Sequence, residues 1–254
     1  MTSEPGARRH RSTAEEEAFA LPPDRLPWLI RASCAFGRVM FRCFTRVRVE
    51  GLEHVPREGA LIIASNHASH ADPPLIHCWL VPALGRPVHW MAKAELIDPT
   101  VPGWFFKRIG AFGIRRGSAD TEAFRLARRV LDDGRVLGAF PEGTRSQDGR
   151  LQAAKEGVAL LALRTGAAVL PVGCVGTHWL WPRGRTLWRV GGRVTLRVGE
   201  PFRVERQVLA DGRKETLEEV TERLMTQIAR LLPEDSRGVY GAGLPSTASS
   251  PANQ

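Results

Sequence analysis

No stretch of this chain approaches the ~20 uninterrupted apolar residues of a membrane-crossing helix, so a spanning segment is not expected. Cysteine is scarce. Cys34, Cys43, Cys78 and Cys174 are the four in 254 residues, none forms a C-x-x-C pair, and their spacing carries no zinc pattern. That usage points to a reduced, cytoplasmic compartment rather than a disulfide framework. The N-terminus bears charges and lacks an uninterrupted apolar core, which argues against a secretory signal. Tyrosine occurs once, at Tyr240, and the other aromatic residues are mostly Trp and Phe in apolar runs. Nothing reads as a nucleic-acid recognition motif, so no nucleic-acid partner is expected.

What is present is ordinary for a soluble globular protein: 43% apolar and 25% charged residues. The length suits one α/β domain with a real core, or two small ones. The net charge of +9, carried mostly by arginine, suits an anionic partner: nucleic acid, a phosphate-bearing substrate or an acidic membrane surface. Composition alone does not choose among these.

Residues 1–23 are polar, charged and proline-bearing, and residues 233–254 are rich in Gly, Ser, Ala and Pro; both read as disordered tails. Residues 24–46 hold an amphipathic segment, in which Trp28, Leu29, Ala32, Phe36, Val39, Met40 and Phe44 recur near a helical period, interrupted by Arg31, Arg38 and Arg42. Two readings fit it: a helix lying in a membrane interface, or a helix packed on the domain's own core. Over residues 47–232 short apolar strands alternate with helices. Strands are expected at 60–65, 88–92, 135–140 and 168–172, and a hairpin over 188–198 around Gly191-Gly192. Helices are expected at 73–81, 101–109, 121–132, 155–164 and 215–232. The pattern implies an α/β layered domain with a largely parallel sheet flanked by helices.

Four blocks carry chemistry. After the first buried strand comes Ser65-Asn66-His67-Ala68-Ser69-His70-Ala71-Asp72-Pro73. In open α/β sheets ligands bind at such strand ends. A histidine can accept a proton near neutral pH, and a carboxylate on its other ring nitrogen fixes the tautomer. On a regular helix positions i and i+5 lie about 140° apart, so the pair meets only if residues 67–72 form a turn entering a helix. Pro73 and Pro74 support that start, but they equally allow Asp72 to be no more than a helix cap. His70 reads as a surface loop histidine. The second block, Phe140-Pro141-Glu142-Gly143-Thr144-Arg145-Ser146, also follows a strand. Gly143 permits close backbone approach, Arg145 can grip a phosphate with its fork, and Glu142 can orient Arg145 or a substrate polar group. The third, Gly110 to Gly117, places Arg115 and Arg116 beside glycines at a strand end. The fourth, Val169 to Gly173, is a buried strand carrying Pro171.

In this order and spacing the blocks resemble the glycerophospholipid acyltransferase family, most closely its 1-acyl-sn-glycerol-3-phosphate acyltransferases. Asn66, His67, Ser69 and Asp72 match its N-H-x-S-x-x-D block, and Phe140 through Ser146 match F-P-E-G-T-R-S. Lys155, Gly157 and Pro171 also match, as do Gly110 and Arg116, while Gly113 and Arg115 depart from the second block's usual residues. The resemblance spans about residues 51–201. It implies a glycerolphosphate acyltransferase-like fold, with His67 as general base on a lysophospholipid hydroxyl and Asp72 orienting it. Arg116 and Arg145 would bind the acceptor phosphate. Asn66, Ser69, Gly110, Glu142, Gly143 and Thr144 would shape the acceptor site, and Pro171 the acyl-donor side. Backbone amides near Gly143 are candidate oxyanion donors. The co-substrate would be acyl-CoA or acyl carrier protein, with no cofactor and no metal. The product would be phosphatidic acid, made on the cytoplasmic face of an anionic membrane by a peripheral enzyme; the alternative acceptors within the family are another lysophospholipid, glycerol 3-phosphate or a glycolipid. Intact His67, Asp72 and Glu142 argue against a catalytically silent scaffold.

Overall fold

A computed structural model describes residues 25–93, 110–114, 119–242 and 244. The helix expected at 101–109, the Trp104-Phe105-Phe106 cluster and Arg116 lie outside these residues, as do residues 1–23.

The chain begins with α1 (Trp28–Phe44) and β1 (Arg46–Glu50), then β2 (Leu61–Ser65), α2 (Asp72–Leu84), β3 (Val88–Lys93) and β4 (Ala111–Ile114). It continues through α3 (Ala119–Asp132), β5 (Val136–Ala139), α4 (Gly157–Thr165), β6 (Ala168–Val175) and α5 (Thr177–Leu180). It closes with β7 (Arg193–Val198), β8 (Phe202–Arg203) and α6 (Leu217–Ala229). The strands form one eight-stranded sheet in the order β1-β7-β6-β2-β5-β3-β4, with β8 on β6. Pairing is parallel except where β6 meets β7 and β8. The expected α/β sheet is therefore present, and β2 sits at its centre between β5 and β6.

The core explains why β2 reads as a continuous apolar run. Successive side chains of a strand point to opposite faces. Leu61 and Ile63 pack with Val136, Leu170 and Val172 against α1 and α2. Ile62 and Ala64 pack with Leu137 and Val169 against α3, α4 and α6. Both faces are covered, so polar alternation has no place there.

α1 packs on the domain's own core and keeps an apolar outer side. Ile30, Cys34 and Phe41 are buried against α2, where Phe41 meets Trp79 edge-on at 5.7 Å. Gly37 lets the two helices touch, because a Cβ there would lie 2.3 Å from the Cys78 sulfur. On the opposite side Trp28 is 77% exposed and Phe36 68% exposed, with Val39, Arg31 and Arg42 along the same outer stripe. Among the described residues no helix is long and apolar enough to cross a membrane.

Two expectations fail. Residues 188–198 are not a hairpin: only Arg193–Val198 is a strand, and it lies between β1 and β6. Gly191 and Gly192 have φ of 89° and 77° and turn the chain into β7, while the Gly191 N–H donates to the Phe44 carbonyl rather than closing a ladder. Residues 233–242 are not a loose tail. Arg237 is 1% exposed, the Leu151 N–H donates to the Ser236 carbonyl, and the Tyr240 hydroxyl accepts from the Ala154 N–H. The segment's small and polar composition hides backbone hydrogen bonds to the loop after β5, which no periodicity reveals.

Candidate active site

The site is built on the carboxyl ends of β2 and β5. β2 stops at Ser65, and the Asn66 side chain ties the next turn to β6. Its Oδ1 accepts from the Cys174 N–H at 2.8 Å and its Nδ2 donates to the Cys174 carbonyl at 3.0 Å. Asn66 is thus spent on the backbone and is buried, so the expected contact with substrate is replaced by a structural one. Ser69 is corrected in the same way. Its hydroxyl donates to the Trp181 carbonyl (2.8 Å) and accepts from the Ala71 N–H (3.0 Å).

The turn these residues hold brings His67 and Asp72 together. His67 Nδ1 lies 3.0 Å from Asp72 Oδ2, and the same oxygen accepts from the Ser69 N–H at 2.7 Å. Asp72 opens α2, with Pro73 and Pro74 in its first turn, so it caps the turn and orients the histidine at once. The Asp72 side chain is fully buried and that of His67 is 17% exposed. An ionised Asp72 accepts from Nδ1–H, which leaves the lone pair on Nε2. Nε2 has no partner among the described residues. The imidazole stacks on Phe140, centroids 3.9 Å apart and planes 17° apart, and Phe140 in turn stacks on Trp90 at 5.6 Å.

Glu142 is the second anchor. Its Oε1 accepts from the His67 N–H at 2.6 Å and its Oε2 from the Gln152 N–H at 2.9 Å. Burial pushes its carboxyl up to about 7, against the pull of those two amides and with help from Asp72. Glu142 therefore fixes the backbone of the base instead of shaping the acceptor site. The Ser146 N–H adds a bond to the His67 carbonyl at 2.8 Å. The Gly143 N–H closes its own turn on the Phe140 carbonyl (3.0 Å), so it is not a free oxyanion donor. The close approach at Gly143 is to Lys155, whose Cε would lie 3.2 Å from an added Cβ. Thr144 is exposed beside it. Arg145 reaches across to His70, its Nη1 against the His70 Nε2. Desolvation, then Arg145 and His67, hold the His70 imidazole below its ordinary value, with Asp72 opposing.

The remaining expected residues stand elsewhere. Gly110 lies at the start of β4, the opposite end of the strand from this rim, and its carbonyl accepts from the Trp90 N–H at 3.0 Å. Pro171 is buried within β6 opposite Ala64, and its carbonyl accepts from the Gly199 N–H at 2.9 Å, so it builds the sheet. The sequence reasoning missed Trp181, Cys174 and Trp90. The first two act through backbone groups, which leave no trace in residue type. Trp90 has a faint one: it lies over Gly138, where a Cβ would come within 2.5 Å of its ring.

The model of a family described as acyltransferase matches residues 46–175, from β1 through β6. This chain belongs to the acyltransferase family. His67, Asp72, Glu142 and Arg145 all fall within the acyltransferase match; Trp181 and the loop after it do not. The chain is 31% identical over 162 residues to a chloroplastic 1-acyl-sn-glycerol-3-phosphate acyltransferase of Arabidopsis thaliana, 63% of this chain and 44% of that protein. It therefore spans less than half that relative's length. It is 29% identical over 157 residues to a 1-acyl-sn-glycerol-3-phosphate acyltransferase of Bacillus subtilis, covering 61% of this chain and 73% of the other. It is 38% identical over 128 residues to a lyso-ornithine lipid O-acyltransferase of Pseudomonas aeruginosa, 50% and 46% of the two chains. Among solved structures, it is similar to a 1-acyl-sn-glycerophosphate acyltransferase from Thermotoga maritima, with a TM-score of 0.63, 30% identity, and 77% and 76% coverage of the two chains.

Proposed function

We propose that this chain transfers a fatty acyl group from acyl-CoA or acyl carrier protein to the sn-2 hydroxyl of 1-acyl-glycerol 3-phosphate, giving phosphatidic acid. The observation that carries the reading is the His67–Asp72 pair: a histidine oriented through Nδ1, with Nε2 open on a rim that also bears Arg145. The names of the relatives in Arabidopsis and Bacillus support the acceptor.

The acceptor hydroxyl attacks the thioester carbonyl while His67 Nε2 takes its proton. Asp72 Oδ2 steadies the imidazolium that results. The tetrahedral oxyanion collapses, the C–S bond breaks, and the departing thiolate takes the proton back from His67. The backbone N–H groups of Thr144 and Arg145 make no hydrogen bond among the described residues and are the candidate donors to that oxyanion. Arg145 meets the acceptor phosphate.

Both substrates are amphiphilic, so the enzyme works at a membrane. The outer stripe of α1 and the net charge of +9 support peripheral attachment to the anionic cytoplasmic leaflet. The test is mass spectrometry of products from purified protein, oleoyl-CoA and a panel of acceptors in mixed micelles. Phosphatidic acid as the dominant product supports the reading. Preferred acylation of glycerol 3-phosphate, another lysophospholipid or a lyso-ornithine lipid would replace the acceptor and keep the reaction.

A further inference from the structure

The loop from Trp181 to Gly192 follows α5 and lies outside the matched family segment. It is fastened at both ends. The Trp181 carbonyl takes the Ser69 hydroxyl, the Trp181 indole N–H donates to the Arg185 carbonyl at 2.9 Å, and the Arg189 N–H donates to the Leu180 carbonyl at 2.7 Å. At its tip, the Arg185 N–H reaches back to the Pro182 carbonyl at 3.3 Å, and Gly184 at φ 90° takes the third position of the turn, where a left-handed residue is required. Arg183 is the second residue of that turn. Its Nη1 donates to the Arg145 carbonyl at 3.4 Å, and the side chain is otherwise exposed.

Two arginines therefore stand side by side on the rim that holds His67. Among the described residues neither has a carboxylate partner. Burial and then the field of Arg183 hold Arg145 below its ordinary value; the carboxylate that opposes them is Asp72, which is buried and already bonded to His67 and Ser69. The other contact of Arg145 is the imidazole of His70, which is not a carboxylate. Each guanidinium uses one Nη1 and keeps its Nε–Nη2 edge, the edge that grips an oxyanion with two parallel bonds. Like charges held together by a fastened loop repel, and a dianion between them reverses that repulsion.

We propose that Arg183 is a specificity-determining residue, which with Arg145 forms a clamp for the phosphate monoester of the acceptor and disfavours acceptors whose phosphate is a diester or absent. The proposal rests on the acyl-transfer reading above and names the group that sets its acceptor class.

The test compares wild type with Arg183→Gln, Arg183→Lys and Arg183→Ala, using oleoyl-CoA with either lysophosphatidic acid or lysophosphatidylglycerol. Loss of one charge-assisted contact is expected to raise KM for lysophosphatidic acid about tenfold or more. kcat should stay within about twofold, KM for oleoyl-CoA should not change, and the monoester preference should fall by the same factor in the Gln and Ala variants. The Lys variant, which keeps the charge, should recover part of the loss. Full recovery in the Gln variant, which keeps a donor for the Arg145 carbonyl, would show a structural role and overturn the proposal. So would an unchanged acceptor preference, or a rise confined to KM for oleoyl-CoA, which would assign Arg183 to the donor's phosphates. If the wild type acylates neither lipid, the proposed acceptor or the oleoyl-CoA donor fails separately. The clamp is then read by calorimetric titration with glycerol 3-phosphate, where Arg183→Gln should bind about tenfold more weakly and equal affinity would overturn it.

Discussion

At the residue scale, one oxygen of Asp72 does two jobs, and the substitution Asp72→Asn keeps its shape while removing its charge. With the amide oxygen in that place, Asn still accepts from the Ser69 N–H and from His67 Nδ1–H, so the turn holds. A neutral amide does not steady the imidazolium that forms when Nε2 takes the proton. The base is weakened. kcat is expected to fall by roughly 100-fold to 10,000-fold, with an unchanged melting temperature. A variant with full turnover would mean that Asp72 is only a cap. Glu142 carries a stability signature instead. Its folded carboxyl, raised to about 7 from 4.5, holds a proton that the unfolded chain releases. Between those pH values the native state binds more protons, so stability falls as pH rises, at a maximum slope of about 1.4 kcal/mol per pH unit. Urea midpoints at pH 5, 6 and 7 should show that decline in the wild type and a flatter profile in Glu142→Gln. His67 and Asp72 were legible in the sequence because five residues and two prolines enclose their geometry. The parts played by Asn66 and Ser69 were not, because their partners lie 108 and 112 residues away and are backbone groups.

At the scale of elements, α1 shows why one amphipathic pattern admits two readings. A helix that buries Ile30, Cys34 and Phe41 still has an outer side, and here that side carries Trp28, Phe36 and Val39 beside arginines. Replacing Trp28 and Phe36 with Ser removes nothing from the core. The double variant should keep its melting temperature and bind anionic liposomes at least about tenfold more weakly in sedimentation, since each buried aromatic contributes ~1.5–3 kcal/mol. Undiminished binding would place the membrane contact elsewhere. The doubly covered strands β2, β5 and β6 were legible as apolar runs. β1 was not, because Arg46, Arg48 and Glu50 alternate with valines along an edge strand whose pairing to β7 is set far away in sequence. Gly191-Gly192 resembles a hairpin signal in composition, yet these glycines serve the approach to Phe44 and the entry to β7.

At the scale of the whole molecule, the central position of β2 and the carboxyl-end placement of both motif loops bring residues 67, 72, 142 and 145 to one rim. The topology was legible as a class, from alternating strands and helices. The strand order, the antiparallel return of β7 and the packed segment 233–242 were not, since each is fixed by contacts between distant backbones. The central claim is that His67 removes the proton from the attacking hydroxyl. The most direct measurement is kcat for His67→Ala against wild type, with oleoyl-CoA and the acceptor that the wild type uses best, alongside thermal unfolding of both proteins. Turnover is expected to fall by about 100-fold to 10,000-fold while the melting temperature stays within a few degrees. Near-normal turnover in a folded His67→Ala variant would contradict the account.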